Sequence, residues 1–345
     1  MHFSAAAISA ILATSVIAHP GHDVRKEIAE RASFMSQLKT RDLSHCSAKL
    51  QARGLEQAAI ARRSAIAKSE RKKRGISSEQ PYLKARDEVT VPNTTHLSTV
   101  DYDTTTDESV VFSGNNSCIL SPEVTQGPYC KRSGEYVRTD IVEEQEGVDL
   151  ILDTQVIDIS TCDPVTNAFV EIWHCNSTGV YSGIVASTNG NAADASNINA
   201  TFLRGLQPTD SEGVAQFQTL FPGHYTSRSN HIHVLVHFNG TTYENGTYGG
   251  GVISHVGQMF FDQDLITQVE AVSPYSTNNQ PTTLNSEDSV LVDEAASSDP
   301  MINYSLLGET VADGIFGWLA FGVDISKSYN VKPAASLYSS GGVEN

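Results

Sequence analysis

The stretch NHIHVLVHF, residues 230–238, alternates polar and apolar side chains over its first half. Period-two alternation marks a β-strand with one face toward a core. On that reading Ile232, Val234 and Val236 share one face, and His231, His233 and His237 share the other. Two imidazoles about 7 Å apart along a strand can converge on one ion, and neutral His is the commonest metal ligand. A polar strand face is the alternative for an isolated H-x-H. His237 is expected at the exposed end of the strand.

The same texture recurs on both sides of this stretch. VDLILDTQVID (148–158), AFVEIWHC (168–175) and AQFQTLFPG (215–223) are short runs rich in Val, Ile, Phe and Thr, separated by Gly, Asn, Asp and Pro. This pattern predicts a mainly β fold, a sandwich with large loops, over 113–325. Residues 184–200 and 239–251 read as loops, and 326–345 as a flexible tail. Upstream, 23–74 contain helix formers and no Pro, with Gly54 as a candidate break between two helices. Residues 75–112 are polar and Ser/Thr-rich, as in a linker. The basic run Arg71-Lys72-Lys73-Arg74 is either a processing site that releases 19–74 as a pro-segment or the solvated end of a retained packing or dimerisation arm. A homodimer through this helical segment is one expected assembly.

Residues 3–18 are small, apolar and uncharged, and Val16 and Ala18 precede a plausible cleavage point. They predict a signal peptide over 1–18 and a secreted, extracellular protein. No later apolar run is long enough to span a membrane. Sequons at Asn93, Asn115, Asn176, Asn199, Asn239, Asn245 and Asn303 fit an N-glycosylated product. In an oxidising compartment the cysteines should pair locally. Cys118–Cys130 and Cys162–Cys175 are the expected bonds, with Cys46 left over.

Charge is divided along the chain of 345 residues. Residues 23–86 carry 16 Lys/Arg and 7 Asp/Glu, a net of +9, while 87–345 carry 7 against 33, a net of -26. So acidic a body excludes nucleic acid as its partner, because phosphate contacts need cations. It also makes each retained Arg conspicuous, Arg228 among them.

Taken in order, GPYC (127–130), NAFVEIWHCNSTGVYSG (167–183), FLRGLQPTDSEGVAQFQTLFPGHY (202–225), RSNHIHV (228–234) and GQMFF (257–261) resemble the intradiol ring-cleavage dioxygenases, the catechol and protocatechuate-type enzymes. The resemblance covers roughly 115–275, and Glu171 with Gly179-Val180-Tyr181 fills the family's local signature. It implies one non-haem Fe(III) per chain, held by Tyr181, Tyr225, His231 and His233. Phenolate oxygen suits so hard a cation, and two phenolates with a hydroxide balance its charge. By the family pattern Tyr181 stays bound while Tyr225 is displaced by substrate. The implied reaction opens a catechol-type ring between its hydroxyl-bearing carbons with O2, giving a muconate-type diacid. Arg228 matches the arginine that stabilises charge developing on the ring. Gln258 matches a glutamine near the substrate, and Pro128 and Tyr129 match a pocket wall. An insertion near 239–251 departs from the family spacing, and Ser229-Asn230 replaces the usual Pro-Ala at the rim. His174 and Trp173 are expected to be structural, and His224 has no role in the pattern. The signal, sequons and extra cysteines give the resemblance a secreted, fungal-type character. The rival readings are a non-catalytic, glycosylated β-sandwich binding protein on the same scaffold, and a Zn or Cu site with other chemistry.

Overall fold

The computed structural model describes residues 43–82, 106–112, 117–118, 135–186, 189–191, 193–296, 298–328, 335–338 and 340–344. The signal segment, Pro128, Tyr129 and Cys130 lie outside them. Two sheets form the body. The first joins β1 (Ser117–Cys118), β3 (Asp149–Asp158), β6 (Val214–Leu220), β11 (Asn303–Leu306) and β12 (Ile315–Val323). Here β12 runs parallel to β3, and β3 antiparallel to β6. The second has the order β10 (Val252–Phe260), β7 (His231–Phe238), β4 (Phe169–Trp173), β5 (Arg204–Pro208), all antiparallel. Leu150, Leu152, Val156, Phe217, Leu319 and Phe321 from the first sheet meet Val170, Ile172, Ile232, Val234, Val236 and Met259 from the second in one core. The expected mainly β sandwich is therefore the fold, with helix ahead of it.

β2 (Glu135–Tyr136), β8 (Thr241–Thr242) and β9 (Thr247–Gly249) make a small third sheet. The 239–251 stretch read as a loop thus folds back as two short strands. It sets Tyr248 against Phe169, ring centroids 4.6 Å apart. The tail expected to be flexible contains a hairpin of β13 (Ala335–Tyr338) and β14 (Gly341–Glu344).

The helical segment packs on the outer face of the first sheet. Short helix α1 (Ser47–Ala52) and the longer α2 (Leu55–Lys73) are separated by Gly54 at φ +68°, a conformation glycine adopts without penalty. α3 (Glu108–Val111) precedes Phe112, which joins Ala67, Ile151, Phe316 and Trp318 in a second apolar cluster. Beneath it, the fully buried Asp153 of β3 accepts from Arg62 Nε at 3.0 Å and lies 3.6 Å from Arg63 Nε. Arg71 of the basic run is buried and donates to the carbonyls of Leu307, Gln80 and Pro81. α4 (Gln263–Glu270) and α5 (Ser289–Ala295) follow β10, each N-capped by an aspartate, Asp262 and Asp288.

The cysteines pair differently from the local expectation. Cys46 bonds Cys162 across a sequence separation of 116, and Cys175 is a buried free thiol. The Cys162–Cys175 pairing is thereby overturned. Cys175 sits just beyond β4, with its thiol on Gly223 O at 3.3 Å, whereas Cys162 faces Leu43, Cys46 and Ile157 in a separate cluster. The bond ties the helical segment to the sandwich. Replacing Cys46 by Ser should lower the unfolding free energy by about 2–5 kcal/mol, read from denaturant midpoints. An unshifted midpoint would mean the bond does not constrain the chain.

Candidate metal centre

β7 sits between β4 and β10, and its register decides which residues leave the core. His233 lies opposite Trp173 on one side and Gln258 on the other, and His231 lies opposite Phe260. Trp173 stacks on the His233 ring at 4.6 Å with planes 7° apart. Tyr181 arrives from the turn after β4, and Tyr225 from the loop between β6 and β7. Asn176 shapes the first approach, its Oδ1 accepting from Thr178 N at 3.1 Å and Val180 N at 3.0 Å. Gly179 completes it at φ +79°, where a Cβ would stand 2.3 Å from His224 O.

Four donor atoms converge. His231 Nε2 lies 3.2 Å from His233 Nε2, 3.4 Å from Tyr181 Oη and 3.3 Å from Tyr225 Oη. His231 Nδ1 donates to Ser229 O at 2.6 Å, so its Nε2 carries a lone pair. Ligands about 2.1 Å from a small cation stand about 3.4 Å apart in a tetrahedral arrangement, so this spacing suits a metal. All four side chains are at most 5% exposed. Burial, and then the neighbouring Tyr225, push the Tyr181 hydroxyl well above its usual range, so it remains a phenol unless a cation is placed beside it. The residues present fit a hard metal ion: two neutral imidazoles and two phenols that a cation can ionise.

Arg228 borders the cluster. Its Nε donates to Asp288 Oδ2 at 3.0 Å, its Nη1 to Tyr225 Oη at 3.4 Å, and its Nη2 to Gln258 Oε1. Asp288 also accepts from Ser229 N at 2.8 Å while capping α5. Asp288 was not singled out from the sequence. Nothing local marks it, because its partner Arg228 lies 60 residues away.

Among the described residues, His174, His224 and His237 take structural places. His174 bonds Cys175 O at 2.8 Å and Thr219 Oγ1 at 2.7 Å, and burial lowers its pKa to about 4. His224 pairs with Glu270 at 2.9 Å. His237 was expected at an exposed strand end, and this is corrected. It is 8% exposed and meets Glu171 at 2.6 Å, because the 239–251 strands bring Tyr248 over it.

Comparison with known proteins places the chain in a family. The family profile described as Dioxygenase matches residues 120–274. An intradiol ring-cleavage dioxygenase from Tetranychus urticae is 32% identical, with 62% of this chain covering 98% of that one at a TM-score of 0.51. A second dioxygenase structure is 33% identical, with coverages of 62% and 98% and a TM-score of 0.48. Catechol 1,2-dioxygenase from Pseudomonas arvilla C-1 is 16% identical, with coverages of 60% and 62% and a TM-score of 0.36. No curated protein matched. The chain belongs to the intradiol ring-cleavage dioxygenases. Family and fold support ring-cleaving dioxygenase activity, an oxidoreductase chemistry.

Replacing Asp288 by Ala strands a buried guanidinium and should cost about 3–5 kcal/mol, measured by chemical denaturation. Wild-type stability in that variant would show that Arg228 does not depend on Asp288.

Proposed function

We propose that this protein is a secreted, non-haem Fe(III) dioxygenase that opens catechol-type rings between the two hydroxyl-bearing carbons. The observation that carries the proposal is the convergence of two imidazole nitrogens and two phenol oxygens on one buried point beside Arg228. Tyr181, Tyr225, His231 and His233 would hold the ion, and a ferric ion held there would supply the electron withdrawal that makes an aromatic diol reactive toward O2.

The chain's own groups do the rest. Of the two phenols, Tyr225 is the one next to Arg228, and the family resemblance makes it the one that substrate displaces. Its oxygen would be the group to accept a diol proton. Arg228, fixed by Asp288, presents its remaining charge to the ring as negative character develops there. Gln258 holds the guanidinium from the other side and lies opposite His233. Pro128 and Tyr129, which the family resemblance matches to a pocket wall, lie outside the described residues.

Substrates of the class are catechol, hydroxyquinol, protocatechuate and lignin-derived phenols. The acidic body, with 7 Lys/Arg against 33 Asp/Glu over 87–345, favours uncharged rings over carboxylated ones. Secretion rests on residues 1–18 and is consistent with the disulfide. Among the described residues no helix is long and apolar enough to cross a membrane. Glycans fit on the exposed Asn239 and Asn245. They do not fit on Asn303, which is 3% exposed, or on Asn176, whose Nδ2 donates to Gln145 at 2.9 Å.

Phenolate-to-Fe(III) charge transfer should colour the purified protein red to brown, with one iron per chain, and catechol should shift the band. A colourless, iron-free preparation that binds phenols without turnover would favour the binding-protein reading.

Loss of the His231 ligand by substitution with Ala should remove the iron, whereas Tyr225→Phe should retain some iron and turn over slowly. Full activity in His231→Ala would refute the ligand assignment. With labelled O2, both labelled atoms should appear in the ring-opened product.

A further inference from the structure

Between Tyr181 and β5 the chain makes a long excursion, much of it without regular structure, which normally needs internal support. Two buried amides supply it. Asn189 is 4% exposed and Asn197 is 5% exposed. Asn189 Oδ1 accepts from Tyr181 N at 2.8 Å, and its Nδ2 donates to Tyr181 O at 2.9 Å and Ile184 O at 3.1 Å. Asn197 Nδ2 donates to the same two carbonyls, both at 2.7 Å. The Asn197 carbonyl in turn accepts from Gly183 N at 2.8 Å.

We infer that Asn189 and Asn197 are positioning residues for the Tyr181 metal ligand, clamping its backbone amide and carbonyl so that the phenol oxygen has one place to go. The inference rests on the metal reading above. Its chemistry is specific to amides. Each Nδ2 has two hydrogens and meets two carbonyls, a pattern that Asp, Ser or Ala cannot reproduce. A Tyr side chain turns about only two bonds, so with its backbone held, ring packing decides the rest. Here the ring is flanked by Tyr225 at 5.5 Å and His233 at 6.0 Å. On either side Val180 is held by Asn176, and Ser182 O accepts from Arg204 Nε at 3.0 Å.

The test compares Asn189→Ala and Asn197→Ala with Asn191→Ala, an exposed position in the same loop. In the metal-free protein, hydrogen exchange at the Tyr181 amide should rise about tenfold in Asn189→Ala, which removes its acceptor. In the iron-loaded protein, both variants should lose iron to a chelator about tenfold to a hundredfold faster, with a displaced phenolate band. Asn191→Ala should match wild type in both. A purely structural role predicts a lowered melting temperature with the band and iron release unchanged, and that result overturns the inference. So does wild-type exchange at Tyr181 in Asn189→Ala. A wild-type protein that binds no iron defeats the metal reading instead, a failure distinct from either.

Discussion

The register of β7 is the constraint on which the site depends. Ile232, Val234 and Val236 are fully buried in the inter-sheet core, which leaves His231 and His233 no choice but the opposite face. A slip of one residue against β4 and β10 would drive imidazoles into the core and isoleucine into the site. Hydrophobic burial on one face therefore fixes His231 and His233 on the other. The neighbouring strands add the furniture: Trp173 from β4 stacks on His233, and Gln258 from β10 lies opposite it.

Beside that fixed pair the protein buries one guanidinium and compensates it. Arg228 is 1% exposed and would be costly alone. Asp288, itself fully buried, accepts from Arg228 Nε and from the backbone amides of Ser229, Val290 and Leu291. Because Asp288 takes the Nε edge, Nη1 remains turned toward Tyr225 and Nη2 toward Gln258. The aspartate thus neutralises part of the guanidinium and aims the rest. The two tyrosines differ in kind as well. Side-chain amides grip the backbone of Tyr181. Tyr225 sits at a tight turn in which Arg228 N donates to Tyr225 O at 3.2 Å.

What was legible in the sequence was whatever period or motif could carry. Alternation placed His231 and His233 on one face, and family motifs brought in Tyr181, Tyr225 and Arg228. All five meet in space. Partnerships between distant segments were not legible, because nothing local marks them. Cys46 and Cys162 meet only because the helical segment docks beside β3, and spacing alone favoured a nearer partner. His237 looked exposed because strands β8 and β9, which cover it, read as a loop. Asn189 and Asn197 looked like ordinary loop residues, since an amide that caps a distant backbone has the same letter as one facing water.

The charge division along the chain acquires a structural meaning. The basic segment meets the acidic body: Arg62 bridges Asp153 and Glu212, Arg74 reaches Asp149, and Lys49 and Arg53 share Asp163. Exposed pairs such as those on Asp163 contribute little individually. Asp153 is different. Fully buried on β3, it has Arg62, Arg63 and Gln216 around it, and without the helix it would keep only the glutamine among these. The docked helix supplies that carboxylate with its cations. Docking over Ile151, Phe316 and Trp318 then hides apolar surface that the sheet would otherwise expose. The helical segment is joined to the sandwich by this apolar burial, by the buried carboxylate and by the Cys46–Cys162 disulfide.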